Sequence, residues 1–309
     1  MSTHKPVALP AGVRLIDDLH LGQPHVIGTY LLLGDEPAIV DPGPTSTLAN
    51  LEAGLAAHGV ALADLRAILL THIHLDHAGA TGTLVRLRPE LRVYVHQRGA
   101  RHLIAPDKLI RSAARLYGDQ MERLWGAFEP VPESAITTLS GGETLRAGGR
   151  SLRVFDSPGH ASHHVFYLDE STGAVFLGDT GGICLPDAPA AIPATPPPDI
   201  DVEAWLHTLA IVGSLDPRAL LLTHFGPAYE PGAYVEDYGA ALRRWAETVR
   251  EGLASNLDEP AQIGRLRDLV RAALGREASP GQLAHYDHAA PVDQCWQGLA
   301  RYWSKRSNV

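Results

Sequence analysis

The chain has 309 residues, enough for one large or two ordinary domains around a substantial core. Its 45% apolar and 20% charged residues are globular values, so extensive disorder is excluded. A net charge of −9 with no basic run argues against a nucleic-acid partner, and no apolar run approaches the length of a membrane span.

Met1 to Leu15 is broken by Pro6, Pro10 and Gly12 and lacks the apolar core of a secretory leader, so a cytoplasmic protein is expected. Val13 to Asp17 and His25 to Leu33 are predicted strands, and Ala38 to Val40 a third, closing in Asp41-Pro42-Gly43. Ser46 is a predicted helix cap ahead of Leu48, Leu51 and Leu55, with Gly59 as the stop. Ala67-Ile68-Leu69-Leu70 is an unbroken apolar run, which fits a strand buried on both faces. It runs directly into Thr71-His72-Ile73-His74-Leu75-Asp76-His77. On extended backbone His72 and His74 leave the same side. Leu75 to Leu87 reads as one helix, with Asp76 and His77 in its first turn, where a carboxylate is favoured. Four metal-competent side chains within six residues exceed what any core requires.

Arg92 to His96 is the next strand, so the order is strand and helix in alternation and the class is α/β. Residues 97–132 change pattern. They fit amphipathic helices broken near Pro106 and Gly118, either packing on the sheet or forming a lid whose Tyr117, Arg111 or Trp125 overhangs the site. Ser151 to Phe155 is a strand delivering Asp156-Ser157-Pro158-Gly159-His160, and Val175 to Leu177 is another, ending in Gly178-Asp179. Cys184 and Cys295 are too few for a disulfide scaffold or a thiolate zinc site and read as packed thiols. Pro186 to Pro198 reads most simply as a rigid surface connection, with a pocket wall as the alternative. Ala219 to Leu222 repeats the earlier logic of apolar strand, threonine and histidine, ending in Thr223-His224. Beyond Pro231 the chain reads as helical.

His-x-His-x-Asp-His after a buried strand, followed in order by His160, Asp179 and His224, resembles the metallo-β-lactamase superfamily of metallo-hydrolases. The resemblance runs from about residue 25 to 230 and implies an αββα sandwich. The corresponding division is a catalytic domain over 1–235, with 97–132 as a helical insert, and a C-terminal helical extension over 236–309. It implies a site of His72, His74 and His160, a second of Asp76, His77 and His224, and Asp179 bridging them. Two divalent ions are then expected, zinc first, with iron or manganese also accommodated. Catalysis is assigned to Asp76 and Asp179 around a metal-bridging hydroxide. Asp41 resembles the family's aspartate beneath the metals and is not counted as a ligand. The motif departs from the family at Ala161-Ser162-His163: His164 aligns with the second family histidine, and His163 reads more simply as a satisfied polar group, with a substrate contact as the alternative.

The expected substrate is a small thioester, lactone or related ester, as in glyoxalase II-like members. Apolar residues near the site favour it: Leu109, Tyr117 and Trp125 on one side, Ile183 and Leu185 on the other. Arg98, Arg101, Arg111 and Arg115 are the contrary sign and could meet one anionic group on a small substrate. A mononuclear iron sulfur dioxygenase and a phosphodiesterase are the alternatives on the same scaffold. A small molecule is the only partner expected, apart from a homodimer contact that the C-terminal helices could supply.

Overall fold

A computed structural model describes residues 8–186, 188–275 and 279–307. Residues 1–7 of the segment read against a leader lie outside them, as do Asp187 in the proline-rich connection and positions 276–278 and 308–309 of the extension. Among the described residues no helix is long and apolar enough to cross a membrane.

The first half builds one sheet from β1 (Val13–Asp17), β2 (Gly28–Leu32), β3 (Ala38–Val40), β4 (Ala67–Leu69), β5 (Arg92–His96) and β6 (Ile136–Leu139), in that spatial order. Its first three strands are antiparallel and the rest parallel. Helices α1 (Leu48–Ala57), α2 (Leu75–Ala78) and α3 (Thr81–Leu87) lie between strands. The segment 97–132 carries α4 (Gln97–Ile104), α5 (Asp107–Tyr117) and α6 (Met121–Trp125). A second sheet runs β14-β13-β10-β9-β8-β7, from β7 (Thr144–Ala147), β8 (Arg150–Asp156), β9 (Val165–Asp169), β10 (Ala174–Phe176), β13 (Ala219–Leu222) and β14 (Gly226–Pro227). The proline-rich connection holds a small hairpin, β11 (Ile183–Leu185) with β12 (Ala188–Ile192). Helix α7 (Val202–Ser214) and the C-terminal α8 (Pro231–Leu253), α9 (Glu259–Leu274), α10 (Pro280–Ala289) and α11 (Val292–Ser307) complete the chain.

Strand alternation makes the four layers. Tyr30, Val40 and Leu69 meet Leu152, Tyr167, Phe176 and Leu221 in a core between the sheets. Their neighbours Leu31, Ile39 and Ile68 face the other way onto Leu51, Leu55, Leu84 and Leu103 of the helices. On the second sheet Phe166, Val175, Leu220 and Leu222 face outward onto Trp205, Leu242, Trp245, Leu266 and Leu299. Both faces of each sheet are thus covered, which is why the central strands show apolar runs without polar alternation.

Three predicted details change. The helix from Leu75 to Leu87 is broken at Gly79, where a Cβ would come within 2.4 Å of the Leu75 carbonyl oxygen and 2.8 Å of Pro44 Cα. Ser46 does not cap α1; its hydroxyl donates to the Leu124 carbonyl at 2.7 Å and fastens the 97–132 segment instead. The strand predicted from His25 begins at Gly28, because His25 takes a φ of 61°.

The C-terminal helices share one buried cluster with the second sheet and α7. Removing residues from Glu236 onward would take away Tyr238, Leu242, Trp245, Leu266 and Leu299 and leave the outer face of that sheet in water. A patch of that kind drives aggregation. The truncated chain is expected to be insoluble on expression; a soluble yield equal to that of the full chain would contradict this packing role.

Candidate metal centre

The predicted site residues lie along one edge of the sandwich, at the ends of strands or, for Asp76 and His77, in α2 just beyond β4. Thr71 to His74 follow β4, His160 follows β8, Asp179 follows β10 and His224 follows β13. Gly159 makes the turn into His160 with a φ of 146° and backs directly onto Trp205, whose Cα lies 2.5 Å from where a Cβ on Gly159 would sit. Only glycine permits so close an approach.

His72, His74, His160 and Asp179 present ligand atoms within 4.8 Å of one another, and Asp76, His77 and His224 do the same beside them. Asp179 faces both sets with different oxygens. Its Oδ2 lies 3.3 Å from His160 Nε2, and its Oδ1 lies 3.0 Å from His77 Nε2 and 3.4 Å from His224 Nε2. Asp76 Oδ2 is 3.4 Å from His224 Nε2 and 3.6 Å from His77 Nε2. His160 Nε2 is 2.9 Å from His74 Nδ1.

The outward nitrogens are already committed. His72 Nδ1 pairs with Thr71 Oγ1, His77 Nδ1 with Asp41 Oδ2, His160 Nδ1 with the Ala194 carbonyl and His224 Nδ1 with the Val26 carbonyl. Such partners fix the ring orientation and leave Nε2 pointing inward. His72 Nε2, His77 Nε2 and Asp179 Oδ1 are buried without a hydrogen bond, although His77 and Asp179 are within reach. Buried polar atoms rarely stay unpaired. Imidazole and carboxylate atoms converging without partners fit a divalent transition metal.

Burial disfavours the charged form of every group here. For His77 and His224, Asp179 and Asp76 outweigh it, raising both, His224 to about 10. Burial would also raise Asp76 and Asp179, yet the imidazoles, His77 foremost, hold both carboxyls below their usual range. His74 goes the other way: burial and then His160 lower it to about 4.

Asp41, read as lying beneath the site, does so at the end of β3. Its Oδ1 accepts from Thr71 N at 2.8 Å, and its Oδ2 accepts from Thr71 Oγ1 at 2.7 Å and Thr223 Oγ1 at 3.1 Å besides facing His77. His164 also sits behind the site, with Nδ1 2.7 Å from Ser157 Oγ. His163 is not a satisfied polar group: its Nδ1 is buried without a partner, and its ring lies 5.7 Å from that of His74. Burial, then His74, lowers His163 to about 3.

Over the centre opens a cavity of about 1150 Å³, lined by His74, Asp76, Asp179 and His163 at its floor. The 97–132 segment forms one wall and does not merely pack on the sheet: Leu109, Tyr117 and Trp125 line it, whereas Arg111 does not. The proline-rich connection is a wall and not a plain surface linker, through Ala194, Pro196, Pro197 and Pro198. Ile183 and Leu185 belong to the core behind the second sheet and do not line the cavity. Cys184 is also packed there, its thiol pushed up to about 12 by burial, so it takes no part.

Sequence reasoning missed His20, Ala284 and His288, which line the same cavity. His20 stacks on Trp125 at 5.3 Å, bonds the Leu124 carbonyl through Nε2 and meets His288 Nε2 at 3.2 Å through Nδ1. No motif surrounds His20 or His288, so nothing local marked them. Thr71 and Thr223 were visible as a repeated Thr-His pair, and their common hydroxyl acceptor, Asp41, explains the repeat.

Asp41→Asn exchanges an acceptor for an amide that cannot accept at both positions, leaving at least one buried donor unmet at about 1–3 kcal/mol. Lower stability to denaturant and about 10- to 100-fold weaker metal binding are expected, and unchanged values of both would contradict the role drawn for it. A second expectation concerns protons. With His77 and His224 raised, the metal-free centre is protonated at neutral pH, and a metal must expel those protons. Affinity should therefore climb about tenfold per pH unit for each proton displaced, from neutrality toward the His224 value near 10. Calorimetric titration in buffers of different ionisation enthalpy measures the release; binding without proton release would contradict it.

The superfamily profile for metallo-beta-lactamases matches residues 24–224. A metallo-beta-lactamase fold-containing protein of Sulfurisphaera tokodaii is 27% identical over 66% of this chain and 74% of its own, and a probable metallo-hydrolase of Bacillus subtilis 26% identical over 89% and 92%. A hydroxyacylglutathione hydrolase of Cupriavidus metallidurans is 34% identical, but over only 48% of this chain and 46% of its own. Among solved structures, a metallo-beta-lactamase family protein from Thermus thermophilus superposes with a TM-score of 0.71, covering 97% of this chain and 95% of that one at 23% identity. With its αββα layers and its histidine–aspartate centre on the strand-end edge, the chain belongs to the metallo-β-lactamase superfamily and is a metal-dependent hydrolase.

Proposed function

We propose that the chain is a dinuclear hydrolase of small acyl substrates, a thioester, lactone or related ester, with His72, His74 and His160 at one ion, Asp76, His77 and His224 at the other, and Asp179 shared. The observation that carries this reading is the split of Asp179, one oxygen toward each set. Two divalent ions would supply a water of lowered pKa and an electrophile for the scissile carbonyl. The side chains do the rest. Asp76 lies on the cavity floor and is partly exposed there, so it can orient the attacking water while still facing His224. The committed Nδ1 atoms keep the imidazoles from turning away. In the reaction the water oxygen bonds to the acyl carbon, the carbon–sulfur or carbon–oxygen bond breaks, and the leaving group takes a proton. Zinc is the favoured occupant because every nitrogen donor is imidazole and no thiolate is present.

The hydroxyacylglutathione hydrolases among the relatives support thioester chemistry, and the cavity, which sets an apolar stretch of Leu109, Ala113 and Leu116 beside its polar and charged groups, suits a small organic substrate.

Three measurements test this. Elemental analysis of protein purified without added metal or chelator should give about two ions per chain, because seven donors exceed one tetrahedral site; one iron alone would move the reading to a sulfur dioxygenase. Asp179→Ala should lower turnover by at least about 100-fold with loss of an ion, and wild-type turnover would remove the bridging role. Across a thioester, a lactone, a β-lactam, bis-(p-nitrophenyl) phosphate and structured RNA, kcat/KM should be highest for the thioester or the lactone. A phosphodiester in first place would sink the acyl reading and leave the metal site standing.

A further inference from the structure

The cavity over the metal centre holds basic side chains that form no ion pair among the described residues. Arg98, Arg101, Lys108 and Arg123 line it. Among the described residues none of the four is in an ion pair, although seven other arginines are. The chain has nine more acids than bases, so acidic partners were not scarce. The cavity's own carboxylates are occupied elsewhere. Asp76 and Asp179 face the imidazoles, Asp199 accepts from Ser162 N, and Asp287 accepts from Val292 N.

The cations are gathered on one side. Arg98 and Arg101 stand on α4 and Lys108 in the first turn of α5. Gly99 lets α4 press onto the metal motif: a Cβ there would meet Ile73 Cγ2 at 2.8 Å and His163 Cβ at 3.6 Å. Arg98 spends one nitrogen on the Ser162 carbonyl, Arg101 spends Nε on His102 Nε2, and Lys108 Nζ has no hydrogen-bond partner among the described residues. Most guanidinium donors and the ammonium therefore remain open. Between these cations and the centre stands His163, with its buried, unpartnered Nδ1. Farther along α5 the lining turns mostly apolar, with Leu109, Ala113 and Leu116 beside Ser112, while α10 adds Ala284 and Ala289 together with His285, Asp287 and His288.

We propose that the substrate is an amphiphile: its scissile carbonyl lies at the histidine–aspartate centre, an oxyanion group elsewhere on it is bound by Arg98, Arg101 and Lys108, and its apolar part lies along Leu109, Ala113 and Leu116 of α5. The proposal rests on the acyl-hydrolase reading for the bond that is cut. It adds what the rest of the molecule must look like. Guanidinium forks suit a carboxylate or a phosphate, and a neutral ester of the same length leaves them unpaired. The Arg111 and Arg115 side chains, which do not line the cavity, have no part in it.

The test reads binding apart from turnover. Three thioethers share an octyl chain and end in a hydroxyethyl, a carboxyethyl or a phosphoethyl group; none has a bond for the centre to hydrolyse. Each is titrated calorimetrically into the protein as purified, wild type and Arg101→Gln/Lys108→Gln, with metal content and circular dichroism compared between the two. The wild type should bind at least one anionic thioether about tenfold or more tightly than the neutral one, and the tighter of the two anions identifies the group recognised. In the double variant that preference should fall to about twofold or less while the neutral thioether binds as before. Equal binding of all three by the wild type overturns the proposal. So does a preference that survives in the double variant, since Arg101 and Lys108 would then have no part in holding the anion. Preference without turnover of any acyl substrate keeps the anion site and removes the acyl chemistry; turnover without preference does the reverse.

Discussion

One buried carboxylate holds the two sheets in register at the edge where the metal-competent groups converge. Asp41 leaves β3 with a φ of 52°, a conformation that a non-glycine residue keeps only when its surroundings over-determine it. Those surroundings are Thr71, at the end of β4 in the same sheet, and Thr223, at the end of β13 in the opposite one. Each threonine is followed immediately by an inward-facing histidine. Fixing the two threonines on one acceptor therefore fixes His72 and His224 relative to each other, and the contact to His77 adds a third ring. Hydrogen bonds to a buried carboxylate are worth about twice neutral ones, so the arrangement is stiff before anything binds.

What was legible in the sequence follows from this. Strands buried on both faces show unbroken apolar runs, and each of those at Ala67, Val175 and Ala219 stops where a polar group must face the site. The four layers and the edge carrying the site could be read because alternation and strand ends are local properties. Local rules failed where distant contacts decide. Ser46 has the look of a helix cap, but a carbonyl 78 positions on takes its hydroxyl. Leu75 to Leu87 has the apolar spacing of one helix, yet the Ala80 amide donates to the Gly43 carbonyl and the helical ladder is interrupted there.

The cavity was less legible than the centre for a related reason. Its walls come from the turn after β1, the 97–132 segment, the proline-rich connection and α10, and no motif links them. His20 and His288 meet at 3.2 Å across 268 positions of chain. Each alone is an unremarked histidine. The arginines near the site were visible, but which of them turn inward depends on the closeness of α4 to the metal motif, and that is set by the missing side chain of Gly99.

The centre also bears on how so many titratable groups can be buried together. Seven titratable groups packed into one buried edge would repel or remain unsolvated if each kept its solution state. Protons on His77 and His224 oppose the charges of Asp76 and Asp179, while His74 and His160, lowered by burial, stay neutral. Protons and metal ions thus do the same electrostatic work at the same atoms, each compensating carboxylates that could not otherwise be buried. The outward Nδ1 contacts of His72, His77, His160 and His224 hold the rings independently of what lies between them.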